Sequence, residues 1–161
     1  VFLSSVAFGQ LTVAEIIKIN KMDASNFVSY CEKKGYKHSG EEKIWNYSRT
    51  KIVGLKRSML KFDTENYNYV RHTTRSNGQI KIEYEIHGVY NKRKSEKIKS
   101  IKQQIKNIGF SINEREKSFS TCEYGNIYMR GKFEKMCVSY INQVFSIDYV
   151  VKRSSGKITL E

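Results

Sequence analysis

The chain has 161 residues, with 29 Lys+Arg against 16 Asp+Glu for a formal net charge of +13, three cysteines and no proline. That length suits one domain burying about two-thirds of its unfolded surface. The composition excludes a membrane-spanning helix, which needs about 18 consecutive apolar residues, a disulfide-dense miniprotein and, given recurrent Ile, Tyr, Phe and Val, a disordered chain.

Residues 1–9 read Val-Phe-Leu-Ser-Ser-Val-Ala-Phe-Gly. They are uncharged, and Ala7 and Gly9 give the small-x-small pattern of a signal peptidase site before Gln10. The expectation is a signal-peptide remnant at 1–9 and one domain over 10–161, exported to the periplasm or the outside. The competing reading makes Phe2, Leu3, Val6 and Phe8 a first strand. No Cys follows the cleavage point, so a lipid anchor is not indicated.

Thr12 with Glu15 forms a capping-box pattern and opens a short helix with Val13, Ile16 and Ile17 on its apolar face. Asp23 is a good N-cap for a second helix, Ala24 to Lys34, in which Phe27 and Cys31 share a face. Gly35 fits the left-handed position after the helix, and Tyr36 is placed to fold back on the last turn. The sequence words Ala7-Phe8-Gly9-Gln10 and Asn26-Phe27 … Lys33-Lys34-Gly35-Tyr36, with the short helix between, resemble small exported proteins of unknown function from Bacteroidota-type bacteria. The resemblance covers about the first forty residues. It implies an envelope or secreted location and no activity.

Strands follow: Ile44, Trp45 and Tyr47 mark one, Ser58 to Phe62 a second and Tyr67 to Thr74 a third. Ser76-Asn77-Gly78 is a hairpin turn, since Asn-Gly takes the positive φ pair of a type I′ turn. Ile80, Ile82, Tyr84 and Ile86 alternate with Lys81, Glu83 and Glu85, which predicts one buried and one wet face. Ser95 then caps a helix from Glu96 to Ile108, with Ile98, Ile101, Ile105 and Ile108 on one stripe. Gly109-Phe110 closes it as Gly35-Tyr36 closes the earlier one. Further strands are expected near Lys117 to Glu123, Ile127 to Met129, Phe133 to Ile141 and Val144 to Val151, with Asn142-Gln143 as a turn and a short strand at Lys157 to Leu160. The fold class is therefore α+β: two tandem helix-plus-antiparallel-meander units, about 23–87 and 95–151, forming a sheet with helices on one face.

The chemistry is sparse. Cys122 and Cys137 can bridge the second meander in an oxidising compartment, leaving Cys31 a buried thiol; the alternative is three thiols in the core. His38, His72 and His87 lack zinc-site spacing. His72 lies in the basic stretch Arg71-His72-Thr73-Thr74-Arg75, where a solvated strand residue is expected over an anion contact. Asp23 reads as a cap, Asp63 begins a turn, and Asp148 sits on the outer strand face without a structural task. No catalytic, cofactor or metal site is indicated. Aromatics among basic residues at Trp45, Tyr47, Tyr67, Tyr69 and Arg71 suit either a stacking platform or a core.

The charge has two sources. There are 21 Lys to 8 Arg, alongside 17 Ile, 11 Asn and 11 Tyr, the bias of an AT-rich coding sequence, whereas phosphate and base readout favours Arg. What stands out locally is Lys92-Arg93-Lys94 with Lys97 and Lys99, either a solvated linker between the units or an anion site at a helix start. The leading expectation is an exported, non-enzymatic binding or inhibitor-like envelope protein that uses the open, Tyr-rich face of the sheet. A polyanion binder (nucleic acid, lipopolysaccharide or acidic protein) through Lys92, Arg93, Lys94, Lys97 and Lys99 is the alternative, and a small hydrolase the third.

Overall fold

The structure is a computed structural model that describes residues 10–38, 43–45, 50–58, 67–75, 78–88, 91–113, 122 and 125–151, with only the backbone described for 43–45, 50, 56–58 and 91–95. The expected hairpin residues Ser76 and Asn77, Phe62, Tyr47, Asp63, most of the strand near Lys117 to Glu123, the strand at Lys157 to Leu160 and all of 1–9 lie outside the described residues.

Helix α1 spans Val13–Asn20 and has the full capping box: Thr12 accepts from the Glu15 N–H, and Glu15 accepts from the Thr12 N–H. Helix α2 spans Ala24–Glu32, with Asp23 accepting from the Asn26 N–H at 2.8 Å. It stops two residues before Lys34, where Lys33 is the C-cap. Gly35 takes φ +87°, and the Tyr36 N–H returns to the Cys31 carbonyl at 3.1 Å. Helix α3 spans Asn91–Asn107. It begins a turn earlier than the Ser95 cap implies, so Ser95 is an interior residue and Lys92-Arg93-Lys94 belong to the helix rather than to a linker. Lys and Arg are strong helix formers, and that propensity holds them in a first turn that the macrodipole disfavours for cations. Gly109 takes φ +94°, and Phe110 N–H bonds Ile105 carbonyl at 3.2 Å.

The strands are β1 Lys37–His38, β2 Lys43–Trp45, β3 Thr50–Ser58, β4 Tyr67–Thr74, β5 Ile80–Ile86, β6 Ser111–Ile112, β7 Gly125–Arg130, β8 Glu134–Ile141 and β9 Val144–Val151. They form one antiparallel sheet in the order β1-β3-β4-β5-β9-β8-β7-β6, with β2 also along the outer edge of β3. β3 runs from Thr50 to Ser58, so it meets the strand expected at Ser58–Phe62 only at Ser58, and 59–62 lie outside the described residues. The β8–β9 turn is Asn142-Gln143, at φ +49° and +65°, the signs a type I′ turn requires. Together these elements make a mixed α+β protein.

One side of the sheet carries Val70 and His72 on β4, Ile82, Tyr84 and Ile86 on β5, Phe145, Ile147 and Tyr149 on β9, and Met136 and Val138 on β8. We call this the inner side. α1 packs on β5 and β9, and α2 on β3 and β4. Ile16, Ile19, Phe27, Cys31, Ile101 and Ile105 are buried in the same cluster. Burial of side chains this size stabilises by about 1.5–3 kcal/mol each before conformational entropy is charged against it. Polar ties fix the layer: Leu11 N–H donates to Tyr84 Oη at 3.1 Å, Val13 N–H to Gln104 Oε1 at 3.0 Å, and Asn20 Nδ2 to the Ile80 carbonyl at 2.9 Å.

His72 is a correction. It is neither solvated nor facing an anion: it is fully buried on the inner side, with its ring 4.9 Å from that of Phe27. Its Nε2 lies 2.9 Å from the Met22 carbonyl, so that nitrogen carries the proton, while Nδ1 faces Thr74 Oγ1 at 3.4 Å. Burial lowers its pKa below the usual 6.5, against the opposing pull of the Met22 carbonyl and Asp23. The unfolded chain therefore binds a proton at a pH where the native ring stays neutral, so stability falls as pH drops below about 6.5. Urea melts at pH 7 and pH 5.5 should show this loss, and His72→Gln, which keeps an N–H donor, should shrink it. An undiminished pH dependence in that variant would place the titrating group elsewhere.

Candidate functional site

The side opposite the core, where the alternation predicts a wet face, holds a row of cross-strand charges. The register sets Arg71 of β4 beside Glu83 of β5, Glu83 beside Asp148 of β9, and Asp148 beside Cys137 of β8. Arg71 reaches Glu83 at 3.4 Å and Tyr69 Oη at 3.2 Å, and its guanidinium lies 5.2 Å from the Tyr69 ring centroid. Lys81 bridges two carboxylates, Glu83 at 2.9 Å and Asp148 at 3.3 Å. Opposite charges facing each other across a ladder stabilise the pairing and fix the side-chain positions.

These groups are packed rather than bathed in water. The Lys81 and Asp148 side chains are 12% and 13% exposed, and Lys135, on the same side, is buried. Burial raises the Asp148 pKa above its usual value; Lys81 opposes this and Glu83 adds to it. At the edge of the group, His87 Nε2 bonds Glu85 at 2.7 Å, and the His87 ring stacks on Tyr67 at 4.0 Å. Asp148, left without a task by the sequence, is thus one end of an ion-pair network.

The expected Tyr-rich open face is corrected. Tyr84 and Tyr149 are buried on the side where the alternation of their strands puts them, Tyr128 joins them, and the opposite side is charged more than it is Tyr-rich. Tyr149 donates to Glu134 Oε1 at 3.0 Å. Glu134 is also held by Arg130, which draws its pKa down. Alternation marks which residues share a side of a strand but not which side meets the helices. Tyr tolerates both, because its ring packs while its hydroxyl finds a partner. Of the proposed stacking platform, Tyr67 lies on His87 and Tyr69 on Arg71.

The structure joins Cys122 to Cys137, whose Cα atoms are 5.8 Å apart, and leaves Cys31 a buried thiol. Cys137 is buried on the side of the sheet that carries Asp148, so the bridge ties the chain before β7 to that side. Burial pushes the Cys31 thiol up to about 12, which keeps it protonated and unreactive at neutral pH. Among the described residues no group of three or more His, Cys, Asp or Glu is placed to hold a metal ion, and no helix is long and apolar enough to cross a membrane.

The proposed anion residues separate. Lys97 bonds the Gln10 side chain and is partly buried, which lowers its pKa. Lys99 is exposed, as are Lys102 and Lys106 farther along α3, two residues the sequence reading left out because they lie beyond the compact basic run. Lys92, Arg93 and Lys94 lie in the first turn of α3. A cleft of about 380 Å³ at the α1–α2 junction is lined by Lys21, Asp23, Asn26, Tyr30 and Lys33 among others. Two of its polar groups are committed already: Asp23 caps α2, and Tyr30 donates to Glu15 at 2.9 Å. Burial alone pushes the Glu15 carboxyl up, but bonds from Lys34, the Thr12 N–H and Tyr30 outweigh it and hold its pKa below the usual value. No family model, no curated protein and no solved structure matches the chain.

Proposed function

We propose that the chain is an exported, non-enzymatic, inhibitor-like binding protein of the cell envelope. In this reading two related helix-plus-meander units form the sheet, the helices cover its inner side, and the charged opposite side meets a protein partner. The observation that carries it is the cross-strand network Arg71–Glu83–Lys81–Asp148, held on three neighbouring strands at the centre of the sheet. Charges fixed by the ladder suit recognition, since complementary fields set register and speed of encounter.

Two observations support the two-unit reading. The strand order reads the same from either end if β1, β3, β4 and β5 correspond to β6, β7, β8 and β9. The closing bonds Tyr36 to Cys31 and Phe110 to Ile105, and then β1 and β6, recur at an offset of 74 residues. Export is supported by the Cys122–Cys137 bridge, since such bonds persist in oxidising compartments.

The test is site-specific photo-crosslinking in the source cells. A crosslinker at Ser139 or Ser146, beside the network rather than in it, should give one discrete protein adduct, and the same probe at Gln103 should not. Adducts from Gln103 alone would move the binding surface off the sheet. Turnover by the purified protein in a hydrolase screen, abolished by substituting Cys31 or His87, would replace the binding reading with an enzymatic one.

A further inference from the structure

Helix α3 carries seven basic residues and one acidic residue in 17 positions, nearly half of the formal charge of the chain. Its inner stripe is spent in the core, where Ile101 and Ile105 are buried and Gln104 accepts from the Val13 N–H. The exposed positions are Glu96, Lys99, Ser100, Lys102, Gln103, Lys106 and Asn107, with the one carboxylate at the N-terminal end of the lysines. None of those three lysines has an ion-pair partner among the described residues. Elsewhere Lys34, Lys81, Arg71 and Arg130 are each matched by a carboxylate. The α3 lysines are spread over about 10 Å of helix axis.

Apolar side chains stand at the C-terminal end of this basic face. Arg130 donates to the Ile108 carbonyl at 3.0 Å and lies 4.9 Å over the Phe110 ring. The turn Gly131-Lys132-Phe133 therefore begins beside the end of α3. Phe133 is 49% exposed, and Ile112, four residues beyond Ile108, is 50% exposed. With Ile141 they are the exposed large hydrophobics among the described residues, and Phe133 stands three residues after the Arg130 that meets the end of α3.

We propose that this face docks on a membrane surface rich in anionic phosphate headgroups. Exposed lysines near such a surface are drawn to its negative potential, and the exposed Phe133, on the turn that starts at the end of α3, can enter the headgroup boundary. The side chains favour this over nucleic acid: lysine is a hydrated point charge without the planar fork that reads bases and clamps phosphates. Because the inner stripe of α3 is buried, the helix rests on the surface instead of inserting. This surface is distinct from the sheet side assigned to a protein partner, so the two readings fail separately.

The experiment is co-sedimentation of the disulfide-bonded protein with phosphatidylcholine vesicles or equimolar phosphatidylcholine–phosphatidylglycerol vesicles, at low and high salt. Binding is expected only to the anionic vesicles, and salt should weaken it. The Lys99→Gln/Lys102→Gln/Lys106→Gln variant should lose at least about tenfold in partitioning, while Phe133→Ser should weaken binding without changing the salt dependence. The substituted lysines are exposed and unpaired, so the fold is expected to survive, and an unchanged melt verifies it. Equal binding to both vesicle types, or full binding by the triple variant, would overturn the proposal. So would a short DNA duplex that strips the protein from the vesicles, in favour of a nucleic-acid surface.

Discussion

Replacing Cys122 and Cys137 together by serine is expected to cost about 3 kcal/mol, the entropy lost to the unfolded chain by a crosslink of this loop size. The separation is 15 residues, and the bond joins the segment before β7 to the middle of β8. Much of the loss acts through the unfolded state, so spectra of the native protein should change little while the urea midpoint drops. The measurement is urea denaturation of the oxidised protein, the double variant and the protein with reductant. A double variant as stable as the oxidised protein would show that the bridge constrains nothing. Thiol counting gives an independent check. The native protein should titrate no cysteine, because Cys31 is buried with its pKa pushed to about 12. Unfolding without reductant should release one thiol, and unfolding with reductant three.

Gly125→Ala is the second large expected effect, about 3 kcal/mol at the upper end of overpacking costs. Gly125 pairs with Ser139 in the β7–β8 ladder. A methyl group there would stand 2.3 Å from the Val138 carbonyl oxygen and 2.9 Å from Ser139 Cβ. Those are backbone and near-backbone atoms of β8, which is itself paired to β9, so β7 would have to move away from it. Gly131→Ala is the matching control: its φ is +63°, with nothing within 4 Å of the added methyl. It should cost only the left-handed strain, about 1–2 kcal/mol. For a domain of this size the Gly125 variant should melt roughly 6–12 °C lower and the Gly131 variant about one-third to two-thirds of that. Equal shifts would mean that the close approach at Gly125 relaxes without cost.

The ends of α1 and α2 were legible because capping is a matter of three or four consecutive residues. Thr12 with Glu15, and Asp23 with Asn26, satisfy N–H groups within their own turn. The alternation in β5 and β9 was legible for a similar reason, since a strand with one buried side announces it at every second residue. The start of α3 was not, because Ser95 before Glu96 fits a cap and nothing local excludes an earlier turn. Lys102 and Lys106 stand off the Ile98–Ile108 stripe, which marks them as outward in the sequence, but they lie beyond the compact run from Lys92 to Lys99 and so do not stand out as an anion site.

The sequence by itself determined where the chain turns and stops: the Gly35 and Gly109 closures, the Asn142-Gln143 turn and the alternating strands, all set by backbone sterics over a few residues. The tertiary structure decided what those elements meet. It set β5 beside β9, turned Tyr128 inward, buried His72 against Phe27, and placed Lys81 between Glu83 and Asp148. Each of those outcomes depends on strand partners and register, and a strand's own side-chain alternation fits either side of the sheet until helices cover one of them.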